Sequence, residues 1–361
     1  MLLVASLIGL ERKYPMQPLR VMVTGAGSGV GQGVIKALRL SDLSLTLIGA
    51  DIGPLNAGLF RTDESVLIPR FEKAGALEEI IETLRREHIS VLMVGSEFDL
   101  EFLSRNKHVI EEETATFVVT SPPETIAIAA DKWATTNFLK EHGLPHAEAV
   151  VPHSLEDAEQ VAAAWGYPVV LKARRGTSSR HVHVVRDARA MRVVFETVPE
   201  PMVQRMISMP SDELGQEYTC SVFTCRDGSV LGPFTARRTL RSGSSWEIEV
   251  APFPELDPLL MEIGRVLPTL GSLNVQLMVG PAGPVPFEFN ARFSGTTAVR
   301  AHYGFNEPEM VIRSYVSREE DLTPVIGRGM VFRYLEEVFL DGATGDSLAE
   351  PFPRGVVRSW F

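Results

Sequence analysis

Between residues 19 and 51 a strand, a glycine-rich turn, a helix and a second strand follow one another without interruption. No other stretch constrains the fold as strongly. RVMVTG is an apolar run of strand length, GAGSGVGQG is a tight turn, VIKALRLS has one apolar helical face, and LTLIGAD is again a strand. A βαβ unit of this kind demands a parallel sheet with helices packed on it. The alternation continues. LEEIIETLRREH has helical apolar spacing, SVLMVGSEFD is a strand followed by an acidic loop, and TFVVTSPPETI is a strand stopped by Pro122 and Pro123. Residues 19–125 are therefore expected to form one doubly wound α/β domain.

The pattern then changes. DKWATTNFLKEHGLP is a helix with a stop at Gly143 and Pro145, and residues 155–165 form another helix. GYPVVLKA and HVHVV are two strands joined by the glycine and hydroxyl loop RRGTSS. MVQRMI, EYTCSVFTC and SVLGPFTARRTL are expected as strands of an antiparallel sheet. ELDPLLMEIGRVLPTL follows as a helix, and NVQLMV, GPAGP and VPFEFNARF as strand, turn and strand. The last forty residues are expected as short strands and turns. The opening MLLVASLIGL has no basic segment before it and no small-residue cleavage site, so residues 1–18 are expected to be an N-terminal extension.

With 361 residues the chain has length for two or three domains. A net charge of −11 argues against coating nucleic acid, which needs a basic face. No apolar run reaches membrane-helix length, so no membrane partner is expected. Cys220 and Cys225 are too few for a disulfide framework and point to a reducing, cytoplasmic setting.

The glycine turn allows a wrong answer. Thr24, Gly25, Gly29 and Gly31 fit a loop of NAD(P)-dependent oxidoreductases, and Asp51 stands where an acid would hold a ribose. None of the six tyrosines has a lysine four residues on, as that chemistry requires. The simpler reading is a turn that lets a helix pack closely on the sheet.

Chemistry concentrates at Phe287–Arg292. On a strand, Glu288, Asn290 and Arg292 share one face, with Phe287, Phe289 and Ala291 expected on the other, in the core. A carboxylate beside an amide oxygen offers hard ligands for Mg²⁺, and a guanidinium suits phosphate. If Gly280–Pro284 is the hairpin turn, Gln276 falls opposite Glu288 as a third oxygen donor. The alternative is a solvated polar face. Lys172 lies in the apolar strand VVLKA; it either meets an anion or reaches out to solvent. Arg237, Arg238, Arg241 and Arg300 can hold a substrate carboxylate or lie on the solvated surface. His181 and His183 share a strand face and are read as exposed. Cys220 and Cys225 fall on opposite faces.

Taken in order, Asp131-Lys132, GYPVVLKARRGTSS, VQRMI with GQEYTCSVF, NVQLMV and FEFNARFSG resemble the ATP-grasp superfamily in its carbamoyl-phosphate-synthase-like branch, which includes ligases of pyrrolysine biosynthesis. The resemblance implies a Rossmann-like pre-ATP-grasp domain (19–125), then an ATP-grasp fold (126–320) of two α+β lobes, 126–203 and 204–320. A small β segment (321–361) follows. It implies Lys132 and Lys172, with Ser178 in the loop, on ATP phosphates. Gln204, Arg205, Met206 and Ile207 would read adenine and Glu217 the ribose. Gln276, Glu288 and Asn290 would hold Mg²⁺ or Mn²⁺, and Arg292 and Lys172 would act on the transferred phosphoryl group. The implied activity is an ATP-dependent carboxylate–amine or carboxylate–thiol ligase working through an acyl phosphate. Its partners would be a small-molecule carboxylate and amine, with a homodimer by analogy. The competing readings are an NAD(P)-dependent oxidoreductase and a non-catalytic nucleotide-binding protein.

Overall fold

The computed structural model describes residues 18–176, 180–207, 214–215, 217–340 and 344–345. Strands β1 (Leu19–Val23), β2 (Leu45–Asp51), β3 (Glu64–Leu67), β4 (Val91–Met93) and β5 (Phe117–Val119) form a parallel sheet in the order β3-β2-β1-β4-β5. Helices α1 (Gly29–Arg39), α2 (Ala76–Arg86) and α3 (Glu97–Thr114) make the crossovers. The order reverses between β1 and β4, and the turns after those two strands lie side by side. Ser28 Oγ donates to Gly95 O at 2.5 Å. A crevice beyond the strand ends opens at such a switch point.

Two expectations change in this half. The acidic loop after β4 is the first turn of the 18-residue helix α3, with Leu100, Leu103, Ser104 and Ile110 on its buried side. The prolines do not merely stop a strand. Pro123 is the first residue of α4 (Pro123–Ala130), where its missing N–H costs nothing.

The glycine turn is filled by the chain itself. A Cβ on Gly25 would lie 2.6 Å from Ser96 Cβ, and one on Gly27 would lie 2.7 Å from Asn56 Cβ. Asp51 accepts from the Gly27 and Ile52 amides at 2.9 and 2.8 Å, so its carboxylate closes the turn. These contacts support the packing reading of the glycines.

Helix α5 (Lys132–Glu141) begins one residue after α4 ends, capped by Asp131, which accepts from the Trp133 amide at 2.9 Å. Next come β6 (Ala149–Val150), α6 (Leu155–Trp165), β7 (Val169–Ala173), β8 (Val182–Val185), α7 (Ala188–Val194) and β9 (Pro201–Arg205). Their strands pair antiparallel in the order β6-β9-β7-β8. Strand alternation sends Val169, Leu171 and Ala173 into a core with Ala158, Ala162 and Met191 from α6 and α7. Val170 and Lys172 are left on the other face. MVQRMI was expected with the strands that follow it; it pairs instead with β6 and β7.

The largest sheet holds β10 (Glu217–Thr224), β11 (Val230–Phe234), β12 (Ala236–Arg241), β13 (Ser244–Val250), β14 (Gly271–Gly280), β15 (Gly283–Asn290) and β16 (Gly329–Phe332). Its order is β15-β14-β10-β12-β13-β16, with β11 also on β10. The segment read as one strand, SVLGPFTARRTL, is two, β11 and β12. Helices α8 (Asp257–Val266), α9 (Thr297–His302) and α10 (Glu307–Val311) complete the fold. Helix α1 packs on α9, with Gly33 close to the Ser294 carbonyl, so the first turn of α1 faces the end of β15. Among the described residues no helix is long and apolar enough to cross a membrane.

Arg300 is not free to hold a substrate. It is fully buried and donates from Nη1 to both oxygens of buried Glu307, at 3.0 and 3.1 Å. Glu307 also accepts from Ser221 Oγ and Ser272 Oγ, at 2.5 and 2.6 Å. Glu307→Ala would strand a buried guanidinium and is expected to cost about 3–5 kcal/mol in denaturant unfolding. A loss below about 1 kcal/mol would mean that the network carries little stability.

Candidate functional site

The β14–β15 hairpin turns at Pro281–Ala282, with Gly280 opposite Gly283 rather than Pro284, and a bulge further along restores the expected pairing: Gln276 lies opposite Glu288 and Asn274 opposite Asn290. Gln276 Nε2 donates to Glu288 Oε1 at 3.0 Å, and Asn290 Nδ2 lies 3.4 Å from the same oxygen. Asn290 Nδ2 also donates to Asn274 Oδ1 at 3.3 Å. The opposite face departs from strict alternation. Phe289 and Ala291 are buried, and Phe289 meets Phe138 of α5 edge-on. Phe287 is not in the core. The register slips so that Leu277 pairs with Pro286, leaving Phe287 as the extra residue of a bulge. A bulge re-aims its side chain, and Phe287 lines the cleft with its ring centroid 5.7 Å from Lys172 Nζ.

That cleft, about 210 Å³, lies between the β7–β9 strands and the β10–β14–β15 strands. One end is apolar, walled by Val170, Val182, Val184, Leu240, Met278 and Phe287. Lys132, Lys172, Glu217, Gln276 and Glu288 line its polar part. Gln204, Arg205, Met206 and Ile207 lie along its edge. Lys132 Nζ donates to the Gly176 carbonyl at 3.0 Å. Lys172 is 4% exposed, so the snorkelling alternative does not hold. Burial, then the neighbouring Lys132 charge, push its pKa down to about 7, against the opposing pull of Glu288. Ser178 lies outside the described residues.

Glu217 is already engaged. Arg238 donates to its Oε1 from Nη2 at 2.8 Å, and from the same nitrogen to Gln276 Oε1 at 2.7 Å. Of the expected arginine cluster only Arg238 turns inward. Arg237 pairs with Glu249, and Arg241 pairs with Glu247 and lies over Trp246. Arg292 donates to Glu97 Oε2 at 2.9 Å and to the Phe293 carbonyl at 2.8 Å.

Beyond Gln276 and Glu288 the cleft adjoins a second cavity of about 300 Å³. It is bounded by the first turns of α1 and α3 and by Arg238, Arg292 and Arg333. Sequence reasoning missed Asn274, Ser96, Glu97 and Arg333. Asn274 had a signal, standing two residues before Gln276 on the same strand face. Glu97 had none, since its partner Arg292 lies 195 residues away.

A divalent ion fits these donors only together with a ligand. Glu288 accepts hydrogen bonds only from amides among the described residues, leaving a carboxylate without a salt-bridge partner. Among the described residues no group of three His, Cys, Asp or Glu side chains can hold a metal, which includes His181 and His183. One carboxylate with amide oxygens is a poor cage for a resident ion. It suits Mg²⁺ that keeps phosphate oxygens as its other ligands.

Residues 129–296 match the family described as the ATP-grasp domain. The chain is 24% identical over 186 residues to the carbamoyl phosphate synthase large chain of Methanothrix thermoacetophila, covering 48% of this chain and 17% of the other. It spans about a sixth of the length of the curated relatives it matches. Among solved structures it is similar to the biotin carboxylase domain of a Hydrogenobacter thermophilus 2-oxoglutarate carboxylase, with a TM-score of 0.65 and 16% identity, over 85% of this chain and 71% of the other. That domain was solved as a dimer with MgADP, ADP and bicarbonate. N5-carboxyaminoimidazole ribonucleotide synthetase from Thermus thermophilus gives a TM-score of 0.66 and 17% identity, over 86% and 81%.

Proposed function

Starting from this chain's membership of the ATP-grasp superfamily, we propose that it joins a carboxylate to an amine through an acyl phosphate, consuming ATP. The observation that carries this reading is the convergence of Lys132 from α5 and Lys172 from β7 with Gln276 and Glu288 from the β14–β15 hairpin around one cleft, with Asn290 in the cavity that adjoins it. The proposed divisions are 19–125 ahead of the ATP-grasp fold, 126–203 and 204–320 as its lobes, and a terminal β segment 321–361; the first division falls within α4 and the second within β9, and β16 of the terminal segment pairs with β13.

The apolar end of the cleft takes the adenine, with backbone groups of Gln204–Ile207 along its edge. Glu217 receives the ribose hydroxyls, exchanging part of its bond to Arg238. Lys132 and Lys172 hold the phosphates. Gln276, Glu288 and Asn290 hold the Mg²⁺ (or Mn²⁺) that arrives with the nucleotide. The ion would supply charge neutralisation for the phosphates.

Arg292 is assigned to steady the γ-phosphoryl group as the carboxylate approaches, exchanging part of its bond to Glu97. A carboxylate oxygen attacks phosphorus, the bond to the β–γ bridging oxygen breaks, and ADP leaves. The amine then attacks the acyl carbon, phosphate departs with the C–O electron pair, and the amine gives up a proton. Protein groups contribute mainly position and charge stabilisation.

A second reading replaces the organic acid by bicarbonate. It is favoured by likeness to a biotin carboxylase domain solved with that anion and to a carbamoyl phosphate synthase. A homodimer is carried over from the same domain.

The test is ADP release from Mg-ATP with a mixed amino-acid pool, with and without bicarbonate, and mass spectrometry for a condensation product. Release that depends on amino acids, together with a peptide or amide product, is the expected result. Release that depends on bicarbonate alone favours the second reading. NADPH binding without ATP turnover would replace both with the oxidoreductase, and nucleotide binding without turnover would leave a scaffold.

A further inference from the structure

Three arginines, Arg238, Arg292 and Arg333, line the second cavity beside two carboxylates, Glu97 and Glu288, the latter assigned above to the metal ion. Arg238 is committed to Glu217 and Gln276, and Arg292 to Glu97. Arg333 differs. Its backbone amide donates to the Trp246 carbonyl at 2.9 Å, which ties it to the end of β13. Its Nη2 donates to the Gly295 carbonyl at 2.6 Å. Among the described residues no carboxylate pairs with it. It is half-buried, and burial followed by the nearby Arg238 charge lowers its pKa. A partly buried guanidinium with one neutral acceptor is unfavourable unless an anion joins it.

The wall that shares the cavity supplies complementary features. Ser28, Gly29 and Val30 at the start of the 11-residue α1 line it, and no heavy atom lies within 4 Å of where a Gly29 Cβ would stand. Ser28 Oγ is already used, accepting from the Gly31 amide. An approaching anion would therefore meet main-chain N–H groups at a positive helix end. At about 300 Å³ the cavity has room well beyond a small inorganic anion.

We propose that the acid activated at this site is a compact dianion, and that Arg333 is the specificity-determining residue that receives its second, non-reacting anionic group. This inference rests on the ligase reading above. The reacting carboxylate lies by Arg292 and Glu288, and the second group lies between Arg333 and the first turn of α1. No bond to that second group forms or breaks. The class covers dicarboxylates and phosphorylated carboxylates, which share the charge pattern.

The test is calorimetry on the full chain saturated with Mg-ADP, titrated with succinate, phosphoglycolate, acetate and bicarbonate. One dianion is expected to bind about tenfold or more tighter than acetate or bicarbonate, a gap of about 1.4 kcal/mol per decade. The tighter of succinate and phosphoglycolate identifies the second anion as carboxylate or phosphate. Arg333→Met should bring that dianion to the level of acetate with Mg-ADP affinity unchanged, and Arg333→Lys should keep part of the advantage. Dianions no tighter than acetate and bicarbonate, or a preference that survives Arg333→Met, would overturn the proposal. Failure of the wild-type chain to bind Mg-ADP would instead overturn the nucleotide reading, and this inference with it.

Discussion

Glu288→Ala is expected to lower ATP turnover by about 10³-fold or more, because a metal-borne charge stabilisation of several kcal/mol is lost and each 1.36 kcal/mol is tenfold in rate. Melting behaviour should stay normal. The Glu288 carboxylate is half-buried and, among the described residues, accepts only from the amide groups of Gln276 and Asn290, which can turn to water or to each other. Its removal leaves no salt-bridged guanidinium behind, unlike the loss of Glu307 beneath Arg300, and Lys172, which loses the pull of Glu288, can shed its proton. Glu288→Gln tests charge apart from shape: it keeps an oxygen donor and should fall nearly as far. The measurements are ADP formation and a thermal melt on the same preparation. A variant that melts normally and still turns over ATP at a comparable rate would remove the hairpin from the metal site.

Lys172→Met is expected to act in opposite directions on binding and stability. Mg-ATP affinity should fall by about 100-fold, the scale of a buried charge-assisted phosphate contact. The ligand-free chain, however, should become more stable at pH below 7. Burial and Lys132 lower the folded-state pKa of Lys172 to about 7, against an ordinary lysine value of 10.5. Between those values the unfolded chain carries a proton that the folded chain lacks. Stability from this group therefore rises with pH across that window, and its cost is fully present below pH 7. The advantage of Lys172→Met should thus be largest near pH 6.5 and shrink toward pH 10.

The same lysine should take up a proton when nucleotide binds at pH 8, because phosphate restores its charged form. Calorimetry in buffers of different ionisation enthalpy measures that uptake. A variant equally stable relative to wild type at both pH values, with no buffer dependence in wild-type binding, would mean that Lys172 is charged throughout and does not face phosphate.

Several parts of the site are legible in the sequence. Glu288 and Asn290 could be placed on one face because a strand repeats every two residues; Gln276 falls opposite Glu288 as expected, but only because the bulge at Phe287 offsets a turn one residue tighter than the sequence suggests. The same rule, applied one step further, would have found Asn274. Lys172 stood out because an apolar strand tolerates a lysine only for a reason. Other features left no local trace. Phe287 leaves the core because a bulge shifts one residue, and bulges carry no reliable periodic signal. The run after β4 looked like an acidic loop because Glu97, Phe98 and Asp99 mask the apolar stripe of α3. The glycine turn was ambiguous because the same residues serve close packing and phosphate approach, and only the positions of Ser96 and Asn56 separate the two.

By itself, then, the order of residues determined the βαβ start, most strands and helices, and the donor set on the hairpin. All of these depend on neighbours within a few positions. Only the tertiary structure decided that β9 joins β7, that Arg300 is locked on Glu307, that Glu97 holds Arg292, and that Arg333 stands beside the cavity with no carboxylate partner among the described residues. Those outcomes belong to residues brought together across sheets. A charge's partner is set by distance and burial, and neither can be read from spacing along the chain.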